Sequence, residues 1–168
     1  MITKATINQI PEITNLVNAA YRGEYSKKGW TTEAHFLEGT RISENELKEI
    51  FQNTNNTILI YQENQKIIGT VLLTNKQTEL YLGMLTISPE LQNSGLGKKL
   101  LQAAEDFANN LQLPKIVMTV ISIRIELIAW YNRNGYVDTG IREPFPSNFN
   151  DVVLHHEPLE FMVVEKLL

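Results

Sequence analysis

The chain has 168 residues, 43 % of them hydrophobic, which suits one domain with a sizeable core. A net charge of −4 and a pI of about 5.4 lack the basic excess of a nucleic-acid binder; no apolar run reaches the roughly 20 residues of a membrane span and the start carries no signal pattern, so a cytoplasmic protein with neither nucleic-acid nor membrane partner is expected. Cysteine is absent, which excludes disulfides, thiolate metal sites and a thiol nucleophile, so an acyl group cannot be parked on a protein thiol and direct transfer from donor to acceptor is the simplest scheme.

Residues 2–5 read as a short strand. Pro11 suits the first turn of a helix, which Ile13, Leu16, Val17, Ala20 and Tyr21 continue at helical spacing. Residues 22–41 lose that periodicity. They hold Glu24, Tyr25, Trp30, Glu33 and His35, a dense set of aromatic and ionisable side chains. Thr31 or Thr32 is placed to cap a short helix that stops near Gly39. Ser43 with Glu46 forms a capping box for a helix through Gln52. A polar loop at 53–56 leads to strands at 57–61 and 67–73, joined by a hairpin turn at Glu63-Asn64-Gln65-Lys66. A turn at 75–78 precedes a third strand, 79–87, where Gly83 predicts a bulge or a close backbone approach.

Gln92-Asn93-Ser94-Gly95-Leu96-Gly97 leads from that strand into an amphipathic helix over 96–111. Pro114 ends the connection, and 115–121 is a near-continuous apolar strand of the kind buried beside a parallel neighbour, with a right-handed crossover between the two. Residues 126–134 read as a helix with Gly135 as its C-cap. A strand over 136–141, a loop with Phe145 between Pro144 and Pro146, an irregular stretch over 149–159 and a last strand over 160–166 complete the chain. With no internal repeat or linker, residues 1–168 are expected to form a single domain.

Strand, tight glycine turn and helix point unpaired N–H groups at an anion, and phosphate or pyrophosphate is the natural occupant. Lys98 and Lys99 precede Glu105 and Asp106 along the helix, the reverse of the dipole preference. A bound anion reconciles that order; solvation of both lysines is the plainer account. A P-loop fails because Lys98 is followed by Lys99, with no second glycine upstream at the right spacing. A dinucleotide fingerprint fails because Leu100 holds the third glycine position, and Ile116, Val117 and Met118 stand where an acidic ribose ligand belongs.

The loop does match Q/R-x-x-G-x-G/A after a strand. Downstream, Ala129-Trp130-Tyr131-Asn132-Arg133-Asn134-Gly135-Tyr136 matches a helix ending in aromatic-Tyr-x-x-x-Gly-aromatic. Together they resemble the GNAT superfamily of N-acetyltransferases, and the order of elements follows that domain across residues 2–168. The resemblance implies an α/β (α+β) fold: a central mixed, mostly antiparallel sheet with a parallel splayed strand pair, flanked by helices. It implies acetyl-CoA as co-substrate, no metal, and an amine acceptor, small molecule or peptide, with a homodimer left open. By position, the backbone N–H groups of Gln92, Asn93, Ser94, Gly95, Leu96, Gly97 and Lys98 would hold the pyrophosphate. The main chain of Leu85 and Ile87 would pair with the pantetheine arm, and Tyr131 would stand near the thioester sulfur. Arg124 is a departure: many relatives carry asparagine seven residues before that tyrosine. Its place implies a CoA phosphate or the substrate channel as its neighbour.

The chemistry sets further requirements. A primary amine, with a pKa of about 10.4, must lose a proton before attack. A backbone N–H near Leu85 is placed to stabilise the oxyanion, and Tyr131 is the candidate acid for the departing thiolate. Its alternative role is that of a core tyrosine. Glu24, Glu33, His35 and Glu79 are candidate bases. Glu24, Tyr25, Trp30 and Glu33 are candidates for a wall of the acceptor site, the two aromatic residues equally for plain packing. His155-His156-Glu157 point to opposite faces of an extended segment, so no metal is expected there. Two functions follow: an N-acetyltransferase, or a non-catalytic acyl-CoA-binding or sensing module of the same fold. Tyr131 favours the enzyme.

Overall fold

The computed structural model describes residues 1–146, 152–154 and 158–168. The run His155-His156-Glu157 lies outside them. Strand β1 (Ile2–Lys4) and a 3₁₀ turn lead into helix α1 (Ile10–Tyr21), with Pro11 in its first turn. A single turn, α2 (Gly23–Ser26), and a two-residue strand, β2 (Leu37–Glu38), stand in place of the helix expected after Thr31 and Thr32. The Thr32 hydroxyl instead accepts from Ala34 N–H at 3.1 Å and shares a 2.6 Å hydrogen bond with Ser26 Oγ. Such local side-chain bonds give the backbone an alternative to helix. Helix α3 (Glu44–Gln52) starts as expected, with the Ser43 hydroxyl accepting from Glu46 N–H at 3.1 Å.

Strands β3 (Asn56–Glu63), β4 (Lys66–Asn75) and β5 (Leu80–Ile87) form an antiparallel meander. Asn64 and Gln65, with φ of 51° and 64°, make the tight turn between the first two. Helix α4 (Leu96–Asn110) and strand β6 (Lys115–Ile121) follow, then helix α5 (Ile125–Arg133). Gly135 ends α5 as expected: its N–H reaches Asn132 O at 3.1 Å and the Tyr136 N–H reaches Tyr131 O at 3.1 Å, a Schellman pair. Strands β7 (Val137–Pro144), β8 (Val152–Val153) and β9 (Glu160–Leu167) complete the order. Part of the stretch expected to be irregular is therefore ordered, because β8 pairs antiparallel with β2, Val153 opposite Leu37.

The main sheet has seven strands in the order β1-β3-β4-β5-β6-β9-β7, antiparallel throughout except for β5 beside β6. This is the mixed, mostly antiparallel sheet that the resemblance implied. Alternation along β3 divides the core between its faces. Ile58 and Ile60 pack with Ile10, Ile13 and Val17 of α1 and Leu47 of α3. Leu59 faces the other way, into the layer of Leu100, Leu101 and Ala104 of α4 and Leu127 and Tyr131 of α5. Strand β6 alternates as well. Ile116, Met118 and Val120 are buried, while Val117 and Thr119 are half-buried and face a cleft, so the strand is covered on one side and open on the other.

Candidate active site

The site begins with an interruption in β5. Between its pairs Thr70 with Thr86 and Leu72 with Gly83, one extra residue enters β5. This is a β-bulge beside Gly83, and Met84 takes the positive φ, 50°. On the other edge, β5 pairs with β6 only through Leu80 with Ile116 and Tyr81 with Val117. Beyond that point the strands part, and the Tyr81 hydroxyl meets Thr119 Oγ1 at 2.8 Å across the widening gap. The Leu85 carbonyl, just past the bulge, accepts a hydrogen bond from the Tyr21 hydroxyl at the end of α1.

On one side of this gap lies a cleft of about 300 Å³. Leu85 and Ile87 line it from β5, the loop from Gln92 to Lys98 from below, and Trp30, Trp130 and Tyr131 from above. The loop's two glycines have different reasons. Gly95 takes φ 83° as the residue before α4, a left-handed conformation that L side chains rarely adopt. Gly97 admits the Trp130 ring, which a Cβ there would meet at 3.1 Å. No side chain caps α4, so the N–H groups of its first turn are directed at the cleft without a protein partner of that kind. Lys98 lines the cleft; the Lys99 ammonium lies over the Tyr61 ring, 5.8 Å from its centroid. The Gln92 side chain does a separate job. Its Nε2 donates to Thr31 Oγ1 at 2.7 Å and to Ile87 O at 3.2 Å, and its Oε1 accepts from Thr31 N–H at 3.2 Å. That latch holds the Trp30 segment over the loop, where Trp30 meets Trp130 edge-on with centroids 6.2 Å apart.

On the other side lies a larger cleft, of about 970 Å³. Tyr21, Leu85, Leu127 and Tyr131 line both clefts, so the two meet at these four residues. Tyr131 is 6 % exposed, and among the described residues nothing hydrogen-bonds its hydroxyl. Burial pushes the phenol well above the usual tyrosine range, the nearby Tyr21 adds to the rise, and the Arg124 charge opposes it. The hydroxyl is therefore held as a neutral O–H donor.

Residues 22–41 divide between the site and the surface. Glu33, 6 % exposed, holds Arg22 Nε at 3.2 Å on one oxygen and Arg124 at 3.3 Å on the other. Arg124 also donates to the Thr31 carbonyl, and its Cζ lies 5.8 Å from the Tyr21 ring centroid. Arg124 thus lines the larger cleft and not the smaller one. Glu24 is exposed and bound to Lys27 at 2.7 Å; Tyr25 is 42 % exposed with Lys28 over its ring; neither lines a cleft, nor does His35. Glu79 lines the larger cleft but stands six residues from Leu85 on the same strand, about 20 Å away at the strand rise. The sequence does not mark Tyr21, Arg22, Thr31 or Arg41 as site residues, Thr31 reading only as a helix cap. Tyr21 carried only a helix-periodicity signal, and the partners of the others lie far along the chain.

A family model for an acetyltransferase (GNAT) domain matches residues 21–148. The chain belongs to the GNAT acetyltransferase family. Solved structures of similar fold include the ribosomal-protein-S18-alanine N-acetyltransferase from Escherichia coli, with a TM-score of 0.75 at 14 % identity, covering 99 % of this chain and 92 % of that one. An IAA acetyltransferase from Bacillus cereus reaches 0.72 at 15 % identity, over 100 % and 99 %. A GNAT family acetyltransferase from Elizabethkingia anophelis with acetyl-CoA bound reaches 0.65 at 18 % identity, over 75 % and 84 %. At these identities the likeness is one of fold. None of the curated proteins matches the sequence. Among the described residues of this GNAT chain, no helix is long and apolar enough to cross a membrane.

The buried phenols at the junction have a consequence for stability. Burial raises the pKa of both Tyr21 and Tyr131 above 10.0. A folded-state pKa above the unfolded one means that this contribution is intact below about pH 10 and is lost as pH climbs beyond it, because the unfolded chain releases those protons first. The thermal midpoint should therefore fall above pH 10, and Tyr131→Phe should fall less steeply than the parent. Parallel curves for the two proteins would mean that Tyr131 ionises as easily in the fold as out of it.

Proposed function

We propose that the protein is an acetyl-CoA-dependent N-acetyltransferase, one domain over residues 1–168, that moves an acetyl group directly to an amine. The meeting of two clefts at Tyr21, Leu85, Leu127 and Tyr131 carries this reading. One cleft runs from a helix N-terminus suited to pyrophosphate; the other leaves room for an acceptor. The N–H groups of the loop from Gln92 to Lys98 hold the pyrophosphate, and the exposed edge of β5 at Leu85 and Ile87 pairs with the pantetheine arm as an added strand would. Trp30 covers the cofactor side, and Glu33 stands on the acceptor side within its arginine pair.

The deprotonated amine attacks the thioester carbonyl, and a backbone N–H of the parted strand near Leu85 stabilises the oxyanion. The C–S bond then breaks. Tyr131 gives its hydroxyl proton to the sulfur and is reprotonated by the proton that the amine released, so nothing is gained or lost overall. The Glu33 carboxylate is engaged with two guanidinium groups and Glu79 is distant, so solvent takes the proton from the incoming ammonium. Structural neighbours named for a ribosomal-protein alanine and for IAA share the fold, so the fold does not choose the acceptor.

The test is a screen of amines with acetyl-CoA, reading free CoA thiol; the protein has no cysteine to contribute background. At least one amine should release thiol in step with N-acetyl product. Gly95→Glu places a side chain in a left-handed position and a negative charge where the phosphate belongs. It should abolish CoA binding by calorimetry while remaining folded. Binding of acetyl-CoA without turnover on any amine would favour the sensing module instead.

Tyr131→Phe keeps the ring and its contacts with Trp130 and Tyr136, whose centroids lie 5.1 Å and 5.8 Å away. It should lower kcat by roughly 10²–10⁴-fold and leave CoA affinity near the parent's. A kcat within about twofold, with chemistry rate-limiting, would remove Tyr131 from the mechanism.

A further inference from the structure

We propose that Arg41 is the anion-recognition residue of the acceptor cleft, so that the acceptor is an amine that also carries a carboxylate. The inference rests on the transferase reading above and concerns its substrate class. Arg41 lines the larger cleft, and its Cζ lies 6.0 Å from the centroid of the Tyr21 ring. Tyr21 also lines the cofactor cleft and donates to Leu85 O, so Arg41 is one side chain away from the place where the thioester must lie.

The other charges of the cleft are mostly spoken for. Glu33 is divided between Arg22 and Arg124. Lys115 holds Glu165 at 3.0 Å and Glu79 at 3.9 Å. Glu46 accepts from the Ser43 hydroxyl at 3.1 Å within its capping box. Lys76 lies over the Tyr81 ring, toward the closed end of the splay, and Glu143 is exposed on β7. Among the described residues no carboxylate forms an ion pair with Arg41, and its guanidinium lies near the Tyr21 ring. A half-buried guanidinium in that state is incompletely compensated, because a ring face at this distance offsets less than the desolvation of the charge costs.

The position is also fixed in advance. Asn18 Oδ1 of α1 accepts from Arg41 N–H at 2.8 Å and from Ile42 N–H at 3.0 Å, and Asn18 Nδ2 donates to Ile42 O at 2.8 Å. Three hydrogen bonds therefore pin the backbone at the root of an uncommitted guanidinium. A planar guanidinium rooted on this fixed backbone matches a carboxylate through two parallel N–H···O bonds. With its carboxylate there, the substrate's amine is directed past Tyr21 toward Leu85.

Matched pairs of amines test the inference: alanine against ethylamine, phenylalanine against phenethylamine, and phosphoethanolamine against ethanolamine. Calorimetry on the CoA-bound protein should show the amino acids binding at least about tenfold more tightly than their decarboxylated partners, the scale of one charged hydrogen-bonded contact. Arg41→Gln should bring that ratio toward one, and Arg41→Lys should keep part of it. In turnover assays the loss should appear in KM rather than kcat. No preference in the parent, or a preference that survives Arg41→Gln, overturns the inference. Tighter binding of phosphoethanolamine than of any amino acid overturns the choice of carboxylate. If the Arg41-dependent preference is present but no amine is acetylated, the binding site stands and the transferase reading fails.

Discussion

The extra residue in β5 at Met84 is the constraint from which the site follows. A bulge bends its strand and strengthens the local twist. Here β5 keeps its neighbour β4 past the bulge, down to Ile87 opposite Gly69, while its pairing with β6 ends after Tyr81. Strand β6 in turn stays fully paired with β9, from Lys115 to Ile121. The sheet therefore opens along a single seam. Backbone groups along that seam need partners. Tyr21 satisfies the Leu85 carbonyl, and the rest of the edge faces the clefts. Because only a short 3₁₀ turn, Pro89–Leu91, separates β5 from the Gln92 loop, the seam opens beside the uncapped start of α4. The uncapped start of α4 and an open strand edge thereby lie on one path.

Residues 22–41 complete the enclosure, and they do so through polar contacts more than through apolar packing. Glu33 ties Arg22, at the end of α1, to Arg124, at the start of α5. Breaking a buried pair of this sort by removing one member is costly, since it strands a charge. Thr31 takes part twice: its carbonyl accepts from Arg124, and its hydroxyl and N–H engage Gln92. This segment, which lines both clefts, is thus fastened to the elements that form them.

Much of this architecture was legible in the sequence where the deciding interactions are local. The Ser43 cap, the tight turn at Asn64 and Gln65, the glycine turn before α4 and the end of α5 at Gly135 each depend on neighbours a few residues away. The two motifs at Gln92 and Tyr131 singled out a loop and an aromatic helix, and the structure brings both to the smaller cleft. The segment after Arg22 was not legible for the opposite reason. Its conformation is decided by Arg124, by Gln92 and by β8, all distant in sequence, and these override the helix start expected at Thr31 or Thr32. The same distance hid Arg41, whose role depends on Asn18 and Tyr21 of a helix that patterned simply as core. Arg124, the departure from the family's asparagine, lines the larger cleft, a position set by Glu33 and unreadable without it.

The central claim is that thioester and acceptor meet where the two clefts join. A crystal structure of the protein with CoA tests it most directly. The account predicts the pyrophosphate on the N–H groups of Leu96, Gly97 and Lys98, the pantetheine arm along β5 at Leu85 and Ile87, and the sulfur in contact with the Tyr131 hydroxyl. A cofactor seated elsewhere, or a sulfur directed away from both Tyr131 and Leu85, would contradict it.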